Sequence, residues 1–254
     1  MKDEFKEHVP SLEVSIIIAF TKLFDAFIQG DGKAADFNAP NKPDNYFSTL
    51  EKWFIFCMVW SFGGTLDEIG RKTFDSVMRD IESIFPGNFT VFDYYINPDK
   101  GEWQSWDEKV NNMVWKPPPT APYHSLLVPT VDSARTKYIL QVCVSNKLHS
   151  LSVGVTGTGK TVLINQILGE LDESNWKINN IIFSSQTSSV KTQDMIEGKM
   201  VRRTKTKMVP DGKKMVIYVD DMNMPKKDTY GSQPPLELIR QWMDYGGWFD
   251  RVQN

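Results

Sequence analysis

The sequence predicts an α/β layer fold in its second half, preceded by a mainly helical segment that carries one short β-hairpin. Three observations lead there. Up to residue 115, apolar residues recur at three- and four-residue steps, the period of helices. From residue 125 onward, apolar strand-like runs alternate with helical ones, the order that builds a sheet covered by helices. Between them, WKPPPTAP (residues 115–122) sets prolines side by side. Proline has no backbone N–H for a ladder and favours an extended polyproline conformation. The division predicted is a helical segment at 1–115, a linker at 116–124 and an α/β domain at 125–254.

In the first segment, VSIIIAFTKLFDAFI (14–28) is the most apolar stretch. Lys22 and Asp25 interrupt it, and it falls short of the ~20 apolar residues of a spanning helix, so a buried helix is predicted. The preceding MKDEFKEHVP mixes charges and lacks the apolar core of a signal peptide. GDGKAADFNAPNKPDN (30–45) is rich in turn residues and reads as a loop. In FSTLEKWFIFCMVWSFGG, Leu50, Phe54, Cys57, Met58 and Phe62 keep a helical period that stops at Gly63-Gly64. Ile69, Phe74, Val77, Ile81 and Ile84 continue as a second helix, closed by Pro86-Gly87. FTVFDYYIN (89–97) is aromatic and strand-like, and the turn at 98–101 returns it through EWQSW as a hairpin.

In the second half, a helix is predicted through VDSARTKYILQVCVSN and a short strand through LHSLSVG. GKTVLINQILGEL then reads as a helix, NNIIFSS (179–185) as a strand, and the region around VKTQDMIEGKMV as a helix. A basic stretch turns at Pro210-Asp211-Gly212 into the apolar strand MVIYVDD (215–221). The last helix, LELIRQWMDY, starts at Pro234-Pro235 and stops at Gly246-Gly247.

Hydrophobic residues at 41% and charged residues at 24% suit a chain with a real core. With 29 basic against 32 acidic residues, the net charge of −3 offers no field for nucleic acid or an anionic membrane. Cys57 and Cys143 lie in apolar runs without metal or redox spacing, which predicts core thiols in a reducing compartment. His8, His124 and His149 are scattered and have no ligand spacing.

The chemistry concentrates in GVTGTGKT (154–161). Gly154, Gly159, Lys160 and Thr161 satisfy G-x-x-x-x-G-K-[ST], a loop whose backbone N–H groups converge on phosphates at a helix N-terminus. Lys160 would reach the β- and γ-phosphates of ATP, and the Thr161 hydroxyl would ligate Mg²⁺. The plainer alternative is a glycine turn that happens to precede a lysine. Asp220 ends an apolar strand sixty residues after Lys160, where a Walker B aspartate holds Mg²⁺. The next residue, Asp221, is the candidate to orient the attacking water. It is one methylene shorter than a glutamate, and a misplacement of about 1 Å can cost on the order of a hundredfold. Nucleotide and Mg²⁺ binding is therefore predicted more firmly than fast hydrolysis. KMVRRTKTK (199–207) reads as a solvated hairpin in preference to a nucleic-acid surface, because no aromatic residue interleaves its charges.

These residues resemble a known family. VDDMNMP (219–225), the segment DTYGSQPPLELIRQWMDYGGWFDR (228–251), LLVPTVDSARTKYIL and SSQTSSVKTQDMIEGKM resemble the third AAA+ module of dynein heavy chains. FCMVWSFGGTLDEIGRKTFD and FTVFDYYINPDKGEWQSW resemble the small helical lid that closes the second module. The Asp-Asp pair before NMP is similar to axonemal chains, and an inner-arm type is the closer likeness.

The resemblance implies a P-loop NTPase (AAA+) large subdomain, incomplete, behind a mainly helical small subdomain. It implies a ring motor acting on microtubules in the ciliary axoneme, a structure of the cytoplasm and cytoskeleton. Its partners would be the neighbouring AAA+ modules of the same heavy chain and dynein intermediate and light chains, with neither nucleic acid nor membrane. ATP or ADP with Mg²⁺ would be the cofactors. The loop residues Gly154, Val155, Thr156, Gly157, Thr158, Gly159, Lys160, Thr161 and Val162 would bind the nucleotide, with Val128 and Pro129 flanking the adenine. Val155 stands where the family usually has proline, and LHSLSVG is more polar than the usual strand before the loop. Arg71 matches a lid position facing the preceding module's nucleotide. By the same likeness, the chain would stop before the sensor-1 strand, the arginine finger lent to the second module and the third module's own lid.

Overall fold

The computed structural model describes residues 5–8, 10–29, 46–87, 89–98, 100–113, 115–116 and 126–251. The expected loop at 30–45 and most of the proline-rich linker lie outside the described residues. The chain divides into two compact units, residues 1–167 and 168–254.

In the first unit, α1 (Glu13–Gln29) and α2 (Tyr46–Phe62) pack side by side. α2 is apolar on every side, so it lies between two clusters. Trp53, Phe56 and Cys57 join Leu23 and Phe27 of α1 on one side. Ile55 and Val59 join Leu66, Phe74, Met78, Val91 and Phe92 on the other. The sequence period put Phe54 and Phe62 on the buried face, whereas both are partly exposed, Phe54 by 43%. They meet α1 instead, Phe54 edge-on to Phe20 at 5.0 Å and Phe62 to Phe20 at 6.3 Å. α1 is not buried throughout, as was expected: Leu23, Ala26 and Phe27 are, while Val14, Ile17 and Ile18 are exposed.

α3 (Glu68–Ile81) starts where the Asp67 side chain accepts from the Gly70 N–H at 2.8 Å, a side-chain cap. Its inner face is Gly70, Phe74 and Met78 at four-residue steps. The predicted period ran through Ile69 and Ile81, which are 72% and 67% exposed, so the helix is right and its phase is corrected. Asp75 accepts from the Val91 N–H at 2.7 Å and from Arg79 Nε at 3.1 Å, tying α3 to a 3-10 turn at Val91–Asp93. That turn feeds β1 (Tyr94–Asn97), which pairs antiparallel with β2 (Glu102–Ser105), the expected hairpin. α4 (Trp106–Asn111) follows, capped by Ser105.

α5 (Val131–Ser145) is capped by Thr130, whose Oγ1 accepts from the Ser133 N–H at 3.2 Å. Its Tyr138 packs against Trp106 at 5.4 Å and Phe27 at 5.9 Å. Lys109 sets its ammonium 4.4 Å from the Tyr95 ring, 4.9 Å from Trp106 and 5.3 Å from Tyr138, a cation–π contact across β1, α4 and α5. Cys57 is fully buried, and burial pushes its thiol well above the ordinary cysteine value. Cys143 is half-buried.

α6 (Lys160–Gly169) runs from the first unit into the second. In the second unit, β3 (Trp176–Ile182) and β6 (Lys214–Asp220) pair in parallel from Trp176↔Lys214 to Ile182↔Asp220. β3 begins three residues earlier than NNIIFSS suggested, because Trp176, Lys177 and Ile178 also find partners on β6. α7 (Ser189–Glu197), capped by Ser188, provides the crossover that a parallel pair requires. β4 (Val201–Arg202) and β5 (Met208–Val209) form a small antiparallel hairpin after it. α8 (Pro234–Tyr245) starts on two prolines and ends at Gly246, whose φ of 71° is left-handed. Ile181, Phe183, Ile196 and Ile239 form this unit's core, flanked by Val219 and Trp248.

Candidate functional site

The glycine loop belongs to the first unit and the Asp220-Asp221 pair to the second. The strand predicted ahead of the loop is not formed. Residues 148–155 are irregular, and Leu151 and Val155 are 70% and 74% exposed. A strand is held by a neighbouring ladder. The polar composition of LHSLSVG adds no apolar face that would hold it without one.

The loop itself is built. Gly157 and Gly159 adopt φ of 84° and 79°, the left-handed region that favours glycine. A Cβ at either would meet nothing within 4 Å, so the backbone conformation and not crowding calls for glycine at both. The Thr158 hydroxyl donates to the Val155 carbonyl at 2.9 Å and fixes the turn. Lys160 folds back over it, its Nζ donating to the carbonyls of Gly154 at 2.9 Å and Val155 at 2.6 Å and to Thr158 Oγ1 at 3.2 Å. Thr161 follows as the second residue of α6, with Val162 behind it. Thr156 lies at the exposed crest. Val128 and Pro129 sit on the irregular segment that enters α5, and Val128 is exposed.

These features fit a polyphosphate. The loop offers backbone N–H groups at a helix N-terminus, where a negative charge is favoured. The lysine ammonium satisfies itself on two carbonyls and can exchange them for phosphate oxygens, which make charge-assisted bonds.

In the second unit, Asp220 closes β6, and its carbonyl accepts from the Phe183 N–H at 3.0 Å. Asp220 Oδ1 accepts from the Asp221 N–H at 3.0 Å. Asp221 is exposed with a φ of 53°, and its carbonyl accepts from the Met224 N–H at 2.9 Å. The backbone thus reverses at Asp221, immediately after the strand. Gln233 secures the following loop, donating from Nε2 to the carbonyls of Asn223 at 3.0 Å and Pro225 at 2.6 Å. Sequence reasoning did not single out Gln233; its signal was the QPP that begins α8.

Arg71 lies on α3 and lines a pocket of about 400 Å³ in the first unit, together with His8, Thr90, Phe92 and Val153. It sits 5.0 Å over the Phe92 ring and donates to the Gly64 carbonyl at 3.3 Å. Arg135 of α5 lines the same pocket, held by Asp93 at 3.3 Å and by Asp132. Burial, and then the like charge of Arg135, hold the Arg71 guanidinium below the ordinary arginine value against Asp132 and Asp93. Arg135 was not picked out from the sequence, where it is one arginine in a helical run.

The loop and its helix define the class: this is a P-loop chain. Residues 115–254 match the family described as P-loop containing dynein motor region, and residues 1–108 match the dynein heavy chain AAA lid domain. The chain is 44% identical over its whole length to dynein axonemal heavy chain 2 of Mus musculus and 42% identical to that of Homo sapiens. It is 37% identical, over 98% of its length, to the dynein-1-beta heavy chain of the flagellar inner arm I1 complex of Chlamydomonas reinhardtii. The chain belongs to the dynein heavy chains, and these relatives are axonemal or flagellar ones. It spans 6% of the length of each of these relatives.

Proposed function

We propose that this chain is an ATP- and Mg²⁺-binding AAA+ segment of a ciliary dynein motor ring, regulating microtubule-based movement through nucleotide binding and slow hydrolysis. In this reading, residues 1–115 are the lid of the second module, 116–124 the linker and 125–254 the large subdomain of the third. The observation that carries it is Lys160 folded onto the Gly154 and Val155 carbonyls above two left-handed glycines.

Backbone N–H groups of residues 154–162 hold the phosphates, Lys160 bridges the terminal ones, and Val128 and Pro129 flank the adenine. Thr161 and Asp220 are the residues that would hold Mg²⁺, which would neutralise phosphate charge. Asp221 orients the attacking water. Arg71 faces the nucleotide of the preceding module. The names of the axonemal and flagellar inner-arm relatives support a place in the axoneme and an inner-arm type. Microtubules and intermediate and light chains are the partners this reading gives to the whole heavy chain.

A second reading is a nucleotide-bound structural module that does not hydrolyse. Its support is Asp221, a short carboxylate on a left-handed backbone. Single-turnover hydrolysis by the full heavy chain separates the two readings. Slower turnover in Asp221→Asn supports the regulatory ATPase, and equal rates support the structural module. The isolated chain is expected to hydrolyse ATP negligibly, and robust turnover by it would contradict this assignment.

A further inference from the structure

The β4–β5 hairpin has no part in the nucleotide reading, and it carries a pattern of its own. Its strands pair only Val201↔Val209 and Arg202↔Met208. Between them residues 203–207 form the tip, with the Arg203 and Thr204 N–H groups both donating to the Lys207 carbonyl at 2.9 and 3.2 Å. Every residue from 201 to 207 is exposed. Within it, Thr206 has Arg203 three residues before it and Arg202 four before it, with Lys205 and Lys207 on either side. Thr204 has Arg203 directly before it and Arg202 two before it instead.

We propose that Thr206 is a phosphorylation site for an arginine-directed serine/threonine kinase. Such an enzyme reads guanidinium groups upstream of the acceptor with carboxylates, and the planar fork of arginine suits that pairing. An extended substrate must enter the cleft. Two-residue strands are marginal as a hairpin, so local opening draws out the tip at small cost. In the reaction Thr206 Oγ1 bonds to the γ-phosphorus of ATP as the bond from that phosphorus to the β-phosphate oxygen breaks. ADP leaves, and the hydroxyl proton passes to the kinase's catalytic aspartate.

The product has a local consequence. Arg202 donates from one terminal nitrogen to the Lys205 carbonyl at 3.3 Å and from the other to Asp250 Oδ2 at 3.1 Å, pinning the hairpin to the segment after α8. A phosphate four residues along carries about −1.5 to −2 charge and competes with Asp250 for that guanidinium.

The test uses the 254-residue chain, ATP and an arginine-directed kinase, read by intact mass and peptide mapping. One phosphate on Thr206 is expected, lost in Thr206→Ala and kept in Thr204→Ala. Incorporation should slow roughly tenfold or more in Arg203→Ala, as for the loss of one charge-assisted bond. No incorporation, phosphate at Thr204, or incorporation unchanged in Thr206→Ala or in Arg203→Ala would overturn the assignment.

Discussion

The ammonium of Lys52 donates to the carbonyl oxygen of Gly101 at 2.9 Å, joining the middle of α2 to the turn of the β1–β2 hairpin. Lys52 is buried, and its second partner is Glu102 at 3.5 Å. A buried ammonium needs such partners, so the hairpin turn is held in one conformation from below.

That conformation requires glycine at 101. Its φ is 65°, and a Cβ there would stand 2.7 Å from Thr49 Oγ1. Gly101→Ala should lower stability by about 1–3 kcal/mol in urea unfolding. Adding Thr49→Ala should return part of the loss by removing the clash while leaving the backbone strain. No loss in the single variant would contradict this account of the turn.

Trp53 anchors the cluster on one side of α2, stacked on Phe27 with centroids 4.6 Å apart and edge-on to Phe56 at 5.8 Å. Trp53→Ala should cost roughly 3–5 kcal/mol, since it removes a large buried ring and leaves a cavity. Equilibrium unfolding followed by circular dichroism measures it, and a loss below about 1 kcal/mol would show that the site collapses freely.

Acid should loosen the loop before α8. The Ser232 hydroxyl first, then the Ser232 backbone N–H and those of Tyr230 and Gly231, hold the Asp228 carboxyl below the ordinary aspartate value. A carboxyl depressed on folding contributes order that is present above its unfolded value and lost as pH falls through the folded one. The effect is local because Asp228 is exposed. A carboxyl NMR titration should give a midpoint below that of an unstructured aspartate, and Asp228→Asn should remove the acid-induced change at Tyr230 and Ser232. A midpoint at the ordinary value would refute it.

Local chemistry was legible in the sequence, and the partners of each element were less so. The glycine loop, the proline start and glycine stop of α8, and the hairpin after Val91–Asp93 follow from residues acting on their own neighbourhoods. The inward faces of α2 and α3 depend on what packs against them. An apolar helix such as α2 has no single phase to read, and Ile69 and Ile81 keep a helical step while facing outward. The expected strand at LHSLSVG failed because pairing is a property of two segments. β3 gained three residues for the same reason. The loop glycines and the strand that ends at Asp220 were readable as local structure, whereas Arg135 and Gln233 become visible only through Arg71 and through the Asn223 and Pro225 carbonyls.

The central claim is that Lys160 and the glycine loop bind a nucleotide polyphosphate, and equilibrium binding of a fluorescent ATP analogue with Mg²⁺ to this chain tests it most directly. The account predicts weak, saturable binding that falls by about tenfold or more in Lys160→Ala, as the loss of a charge-assisted contact requires. Unlabelled ATP should compete, and adenosine should not. Equal affinity in Lys160→Ala, or no saturable binding by the unaltered chain, would contradict it.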